Sequence, residues 1–327
     1  MNTTKKILLK SLRRLYIKIT RNSERISEKK IYIKSSENLI YDRLLADEPC
    51  MIARFGSTEL TCLINYVGVK SGSKNYIKFI RGEENKWWWD YNIIDQMYEW
   101  SGFFPPTLNN IERFCEMMID DMQEVDILGS WLDGENYFDG YLNCYKTHLR
   151  NLEPFWLDLP WTKALENKRV LVIHPFSETI LAQYEKRKNI FENSNILPEF
   201  KSLDVIKAVQ TLGQTSSEYD DWFDALNGMK KQIDKTDFDI CLIGAGAYGF
   251  PLAAHVKRIG KKAIHLGGAL QLIFGIRGKR WEDANYGVKE WGISNGEYSE
   301  LMNKYWVRPL DKEKPKTAGN VEDSCYW

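Results

Sequence analysis

Apolar residues follow two different repeats along this chain, and the changes from one to the other lay out its elements. Short apolar runs bounded by turn residues occupy residues 50–54, 125–129, 168–174, 240–243 and 262–266. Runs this short with little alternation predict strands buried on both faces. Between them a helical repeat leads in from Asn38, continues from Ser57 through Tyr66, and covers about residues 108–123 and 218–234. Another helix carries Tyr184, Lys186 and Arg187, and one more follows the run ending at Ile243. Ser57 is the expected N-cap of its helix, with Glu59 in the first turn. Strands alternating with helices predict an α/β fold, a Rossmann-like parallel sheet covered by helices on both faces.

The ends of the chain read differently. Ile7, Leu8, Leu12, Leu15, Tyr16 and Ile19 recur at helical spacing, and Lys5, Lys6, Lys10, Arg13, Arg14, Lys18 and Arg21 fill the places between. This is a basic amphipathic helix. Two roles fit it: lying on an anionic membrane surface, where each basic residue contributes about 1 kcal/mol, or packing on its own domain or a partner. Residues 308–320 are rich in Pro and Lys and predict an extended tail, while Cys325-Tyr326-Trp327 is apolar enough to dock. The expected organisation is an N-terminal helix over 1–35, an α/β catalytic domain over 36–305 with halves meeting near 165, and a tail over 306–327.

Composition narrows the classes. At 28% charged and 43% hydrophobic residues the chain is globular in type. Its net charge of zero hides eleven Lys or Arg against two Glu in residues 1–34, so the rest carries the matching acidic excess. Overall charge therefore gives no argument for nucleic acid. The six cysteines form no C-x-x-C pair, which points away from a disulfide framework or zinc site. With no apolar stretch near 18 residues and no hydrophobic signal region, a cytoplasmic protein is expected, peripheral to the inner face of the membrane if the basic helix binds there.

The densest chemical signal is the sequence from Phe238 to Gly268, which reads strand, glycine turn, helix, strand. Gly244, Gly246 and Gly249 have G-x-G-x-x-G spacing, with Tyr248 inside it. Such a turn brings bare backbone and a helix N-terminus close to a phosphate or diphosphate; the alternative is a tight turn whose glycines serve packing. A dinucleotide site also needs an acid about 20 residues on to hold the ribose. Here the second strand ends in His265, Gly267 and Gly268, so NAD is not expected. His265 and His174 each end a predicted strand, where ligands bind in α/β sheets, although a lone histidine there also fits a core role. Asp133 and Glu135 lie in a loop after a strand, within reach of a ligand, and Gln271, Arg277, Lys279 and Arg280 follow the last strand in a place suited to ligand-binding groups. Trp87, Trp88 and Trp89 suit either stacking on a ligand ring or a satellite core.

The block Arg54-Phe55-Gly56-Ser57-Thr58-Glu59, with the second-half order from Val170 to Pro198 and from Phe238 to Gly268, resembles the bacterial glycosyltransferases of the GT-D fold. A further likeness, in this block and Gly267-Gly268-Ala269-Leu270-Gln271, is to proteins of polysaccharide gene clusters. The resemblance implies a nucleotide-sugar donor and a glycan or glycolipid acceptor, with sugar added to a lipid-linked surface polysaccharide. Arg54, Gly56 and Glu59 match the family's R-F-G-D-G-E position by position, and Arg187 matches loosely an arginine near the donor phosphates. The family's D-x-E pair, associated with Mg or Mn and the donor, becomes Ser57-Thr58-Glu59, which leaves Glu59 as the one carboxylate. The implied site is Glu59 and His265 for catalysis, with Arg54, Gly56, Ser57, Arg187, Gly244, Gly246, Tyr248, Gly249, Gly267, Gly268 and Gln271 around the donor and Asp133 and Glu135 towards the acceptor sugar. The rivals are a nucleotide-cofactor oxidoreductase and a non-catalytic nucleotide-sugar-binding protein.

Overall fold

The computed structural model describes residues 2–21, 38–211, 218–315 and 325–327. In chain order the longer elements are α1 (Thr3–Arg21), α2 (Leu39–Leu45), β1 (Cys50–Ala53), α3 (Ser57–Lys70), α4 (Tyr76–Arg81), α5 (Tyr91–Glu99) and α6 (Leu108–Asp121). They continue with β2 (Ile127–Ser130), β3 (Tyr145–His148), β4 (Arg169–His174), α7 (Ser177–Tyr184), β5 (Ser202–Lys207), α8 (Trp222–Ile233), β6 (Ile240–Ile243), α9 (Gly249–Arg258) and β7 (Lys262–His265). Short helical turns fill much of the remainder. The strands form one seven-stranded sheet in the order β3-β2-β1-β7-β6-β4-β5. All its pairings are parallel.

Period-two alternation inside the apolar runs divides the core. Met51, Ala53, Leu128, Leu171, Ile173, Cys241, Ile243 and Ala263 point to one face, where α3, α5, α6, α8 and α9 cover them. Cys50, Ile52, Ile127, Val170, Val172, Ile240, Leu242 and Ile264 point to the other, under α2, α7 and the segment from Leu270 to Phe274. Both faces are dry, which is why these strands carry no polar alternation. The expected parallel sheet with helices on both sides is what the chain forms.

Two strands left no apolar run to find. Tyr145–His148 is an edge strand with exposed or half-buried side chains, and Ser202–Lys207 at the other edge alternates Ser, Asp and Lys with Leu, Val and Ile. Solvated edges tolerate such polar residues. At α3 the N-cap is Gly56, in an extended conformation, and Ser57 is the first helical residue. The helix expected to carry Arg187 ends at Tyr184, and Arg187 begins a 3-10 turn.

Parallel register sets the strand ends level. Ile52 lies opposite both Ile127 and Ile264, and Ile243 opposite both His265 and Ile173. The residues after them, Arg54, Gly244, Leu266 and His174, therefore emerge at one edge of the sheet. The tail is anchored on the same side of the molecule. Glu313 is buried and accepts hydrogen bonds from the Glu178 and Thr179 amides, at 2.8 and 3.4 Å, and from the Thr179 hydroxyl. Cys325 and Trp327 are buried as well, so the end of the expected extended segment docks. Residues 316–324 lie outside the described residues.

Candidate functional site

One large cavity, about 1100 Å³ in volume, opens at the carboxyl edge of the sheet. Residues following β1, β2, β4, β5, β6 and β7 line it, the position where open α/β sheets hold their ligands. Two strand–turn–helix units supply its most informative walls.

The first unit follows β1. Arg54 is half-buried, its guanidinium 4.9 Å from the Trp131 ring centroid. The indole is fixed in turn, since its Nε1 donates to the Phe55 carbonyl at 3.0 Å. Among the described residues no hydrogen bond or ion pair engages the Arg54 guanidinium. Burial pulls its pKa down, with nearby Tyr326 and Glu59 acting the other way. A desolvated cation of this kind favours an anionic partner. Glu59 folds back over Gly56: a Cβ at position 56 would stand 1.7 Å from Glu59 Oε2. Glycine is thus required for the carboxylate to lie where it does, and Gly56, Ser57, Thr58 and Glu59 all line the cavity.

The second unit follows β6. Gly246 has φ +53, and a Cβ there would meet nothing within 4 Å, so its backbone faces open space in a conformation that favours glycine. Gly244 and Gly249 are packed instead. A Cβ on Gly244 would come within 2.7 Å of the Gly267 carbonyl and of His174, and one on Gly249 would come within 2.1 Å of the His265 ring. Packing thus accounts for two of the three glycines, and the third leaves its backbone open to the cavity. The start of α9 brings the positive end of its dipole to the same wall.

Across from Arg54, Gly267 has φ +64, and a Cβ there would lie 3.6 Å from Arg54 Nη1. Gly268 is covered by the Tyr326 ring, 2.2 Å from where its Cβ would be. Gln271 is buried; its amide donates to the Ile276 and Tyr326 carbonyls at 3.2 and 3.1 Å.

Several expected residues have other work. Glu135 is fully buried and accepts from the Trp131 and Leu132 amides, both at 3.0 Å, and from the Ser130 hydroxyl. It shapes the turn after β2 and is not exposed to an acceptor; Asp133 does line the cavity. Arg187 lies over Tyr184, 4.9 Å from its ring centroid, and pairs with Glu199 at 3.3 Å. It stands beyond the far end of α7, whose eight residues run about 12 Å from the strand end at the 1.5 Å rise per residue, and does not line the cavity. Tyr248 stacks on Trp222 with ring centroids 4.7 Å apart, so it is chiefly a core residue with one edge in the wall. Trp87 and Trp88 pack with Phe79 in a satellite core under α1.

The histidines at the strand ends are poor bases. His265 is buried, its Nδ1 3.3 Å from the Ile243 carbonyl, and burial lowers its pKa to about 3. Burial likewise lowers His174 to about 3, and its Nδ1 accepts from the Phe176 amide at 3.0 Å. Rings this weakly basic make poor proton acceptors, so His265 is less suited to abstracting a proton than its place at a strand end suggests.

A divalent cation fits these residues badly. Among the described residues no group of three or more His, Cys, Asp or Glu gathers in metal-binding geometry. Glu59 has Ser57 and Thr58 for neighbours where a second acid would stand, and the Arg54 charge nearby opposes a cation.

No family model matches the chain, and the search of curated proteins found no match. Two solved structures are similar in shape. One is described as the selenomethionine-substituted structure of domain of unknown function 1792, with a TM-score of 0.41, 11% identity and coverage of 92% of this chain and 95% of that chain. The other is described as that domain having a distinct glycosyltransferase fold, with a TM-score of 0.39, 12% identity and coverage of 93% and 95%. Superposition at this level is loose and leaves the chemistry of the site to its own residues.

Some wall residues gave no sequence signal: Trp131, Tyr286, Asn285 and Lys289 line the cavity from irregular segments. Tyr326 and Trp327, from the apolar end expected to dock, complete the wall. Arg280 holds that end in place, donating to the Tyr326 hydroxyl and the Cys325 Sγ, both at 3.2 Å. Only long-range packing brings them together.

Proposed function

We propose that the chain is a glycosyltransferase that binds a nucleotide-sugar donor in this cavity and passes the sugar to a hydroxyl of a glycan or glycolipid. The observation that supports it most is Arg54, a partly desolvated guanidinium that no hydrogen bond or ion pair engages among the described residues, facing the same cavity as the open glycine turn at the start of α9. Such a pairing suits a diphosphate: charge from one wall, backbone and helix dipole from the other.

In the reaction the bond from the anomeric carbon to the diphosphate oxygen breaks, and the nucleoside diphosphate leaves with the electron pair. The acceptor oxygen bonds to the same carbon and gives up its proton. Arg54 stabilises the charge growing on the leaving group. Glu59 takes the proton, directly or through water, since the two histidines are too weakly basic. Trp131 and Tyr286 bring aromatic surface to the wall for a sugar or base. No step is routed through a metal.

Calorimetric titration with a nucleoside diphosphate and with NAD tests the assignment, together with a thermal-shift panel of nucleotide sugars. A donor at 100 times its dissociation constant adds about 2.7 kcal/mol of stability. Diphosphate binding, no NAD binding, and donor hydrolysis that persists in chelator are expected. NAD binding without diphosphate binding would restore the oxidoreductase, and donor binding with neither hydrolysis nor transfer would leave a binding protein.

A further inference from the structure

Helix α1 rests on its own domain by an unexpected side. Leu9 is buried against Phe79 and Trp88. Beside it Lys10 pairs with Asp90 at 2.9 Å, and Arg13 donates to the Glu84 carbonyl at 2.9 Å while lying 4.8 Å from the Phe79 ring centroid. Lys10 and Arg13 thus face inward. The leucine stripe faces out: Leu8, Leu12, Leu15 and Ile19 are 56%, 39%, 56% and 66% exposed. At 3.6 residues per turn these four fall within about 60° of one another around the helix. Tyr76 and Ile77 of α4 are exposed too, with Lys5 over the Tyr76 ring at 4.5 Å. Arg14 and Lys18 are exposed on the same helix, which contains no acid.

We infer that this surface docks on an anionic lipid bilayer. The stripe alone would equally suit a second copy of the chain, because positions 8, 12, 15 and 19 have the spacing of a coiled-coil seam. Charge decides between the two. With no carboxylate on α1, paired copies would set cations against cations, whereas an anionic bilayer offers apolar depth for the leucines and headgroups for Lys5, Arg14 and Lys18. The helix is also held in place before it meets lipid, so little ordering cost opposes binding. The inference is independent of sugar transfer and stands or falls separately.

The full-length protein is sedimented with vesicles of mixed phosphatidylglycerol and phosphatidylcholine, and with phosphatidylcholine alone. Binding to the anionic vesicles is expected to be at least about tenfold stronger, and to weaken with salt as the Debye length shrinks from about 10 Å at 0.1 M to 3 Å at 1 M. The pair Leu8→Glu and Leu15→Glu is expected to lower partitioning at least about tenfold with unchanged thermal unfolding, because both side chains are exposed. The pair Arg14→Glu and Lys18→Glu removes the anionic preference without touching the stripe. Absence of wild-type binding, equal binding to neutral vesicles, or variants that bind like wild type would overturn the inference. So would a wild-type dimer, inert to vesicles, that Leu8→Glu and Leu15→Glu convert to monomer.

Discussion

After β1 the chain turns through Arg54-Phe55-Gly56 into α3, and after β6 it turns through Gly244-Ala245-Gly246 towards α9, so one local plan is used twice at the rim of one cavity. The first copy offers charged side chains, with a single glycine spared so that Glu59 can fold back. The second offers bare backbone, and its two packed glycines make room for the His174 and His265 rings. The same geometry thus divides the labour between charge and close approach. The division also separates what each unit is sensitive to: the charged unit to loss of its side chains, the glycine unit to added bulk and to protonation of the rings beneath it.

The largest expected contrast is with acid. His174 and His265 have folded pKa values near 3 against an ordinary 6.5. Below the ordinary value the unfolded chain takes up protons that the folded chain refuses, so the stability from these neutral rings is complete above about pH 6.5 and is lost as pH falls towards 3. At about 1.4 kcal/mol per pKa unit, each buried ring sets a ceiling of several kcal/mol. Urea midpoints measured from pH 7 to pH 4 should fall, and less steeply in His174→Gln. A flat profile would mean that the rings are not buried as described.

Within the charged unit, Glu59→Gln should lower turnover about 100-fold while leaving the affinity for a nucleoside diphosphate unchanged. Titration and single-turnover kinetics on the same preparation separate the two effects. If affinity fell with turnover, Glu59 would be a binding residue, and the unit would hold no base.

Arg54→Ala should weaken diphosphate binding about 10- to 100-fold, the scale of a charge-assisted hydrogen bond at about 1.4 kcal/mol per tenfold. Arg54→Lys should recover only part of it, because an ammonium lacks the planar fork. Affinity untouched in Arg54→Ala would move the diphosphate away from this wall.

The smallest effect separates the glycines. Gly246→Ala has free space but a left-handed backbone, so it should cost about 1–2 kcal/mol of stability with the protein still folded. Gly249→Ala meets the His265 ring instead, and overpacking there should cost about 1–3 kcal/mol. Only the first should weaken diphosphate binding directly. Equal loss of binding in the two alanine variants, scaling with stability, would make the whole turn structural.

The sequence by itself determined the central sheet. Five of its strands are buried on both faces, which forces unbroken apolar runs that can be read without a partner in view, and the glycine turn and the Arg54 block stand at the ends of such runs. Tertiary structure decided the rest. The edge strands β3 and β5 are half solvated and need no apolar run, so their place in the sheet depends on neighbours distant in sequence. Glu135 and Asp133 look alike as letters two apart, yet backbone amides claim one and the cavity keeps the other. Arg187 sits one helix length from the strand end, and a stop at Tyr184 turns it to Glu199. Trp131 and Tyr326 enter the wall through contacts with Arg54 and Gly268, each far outside its own local segment and so absent from any local pattern. For α1 the amphipathic repeat fixed that a helix forms. Which face it would bury was settled by Asp90, Glu84 and Phe79, because a buried leucine flanked by satisfied cations held the helix by its basic side and left the leucines free.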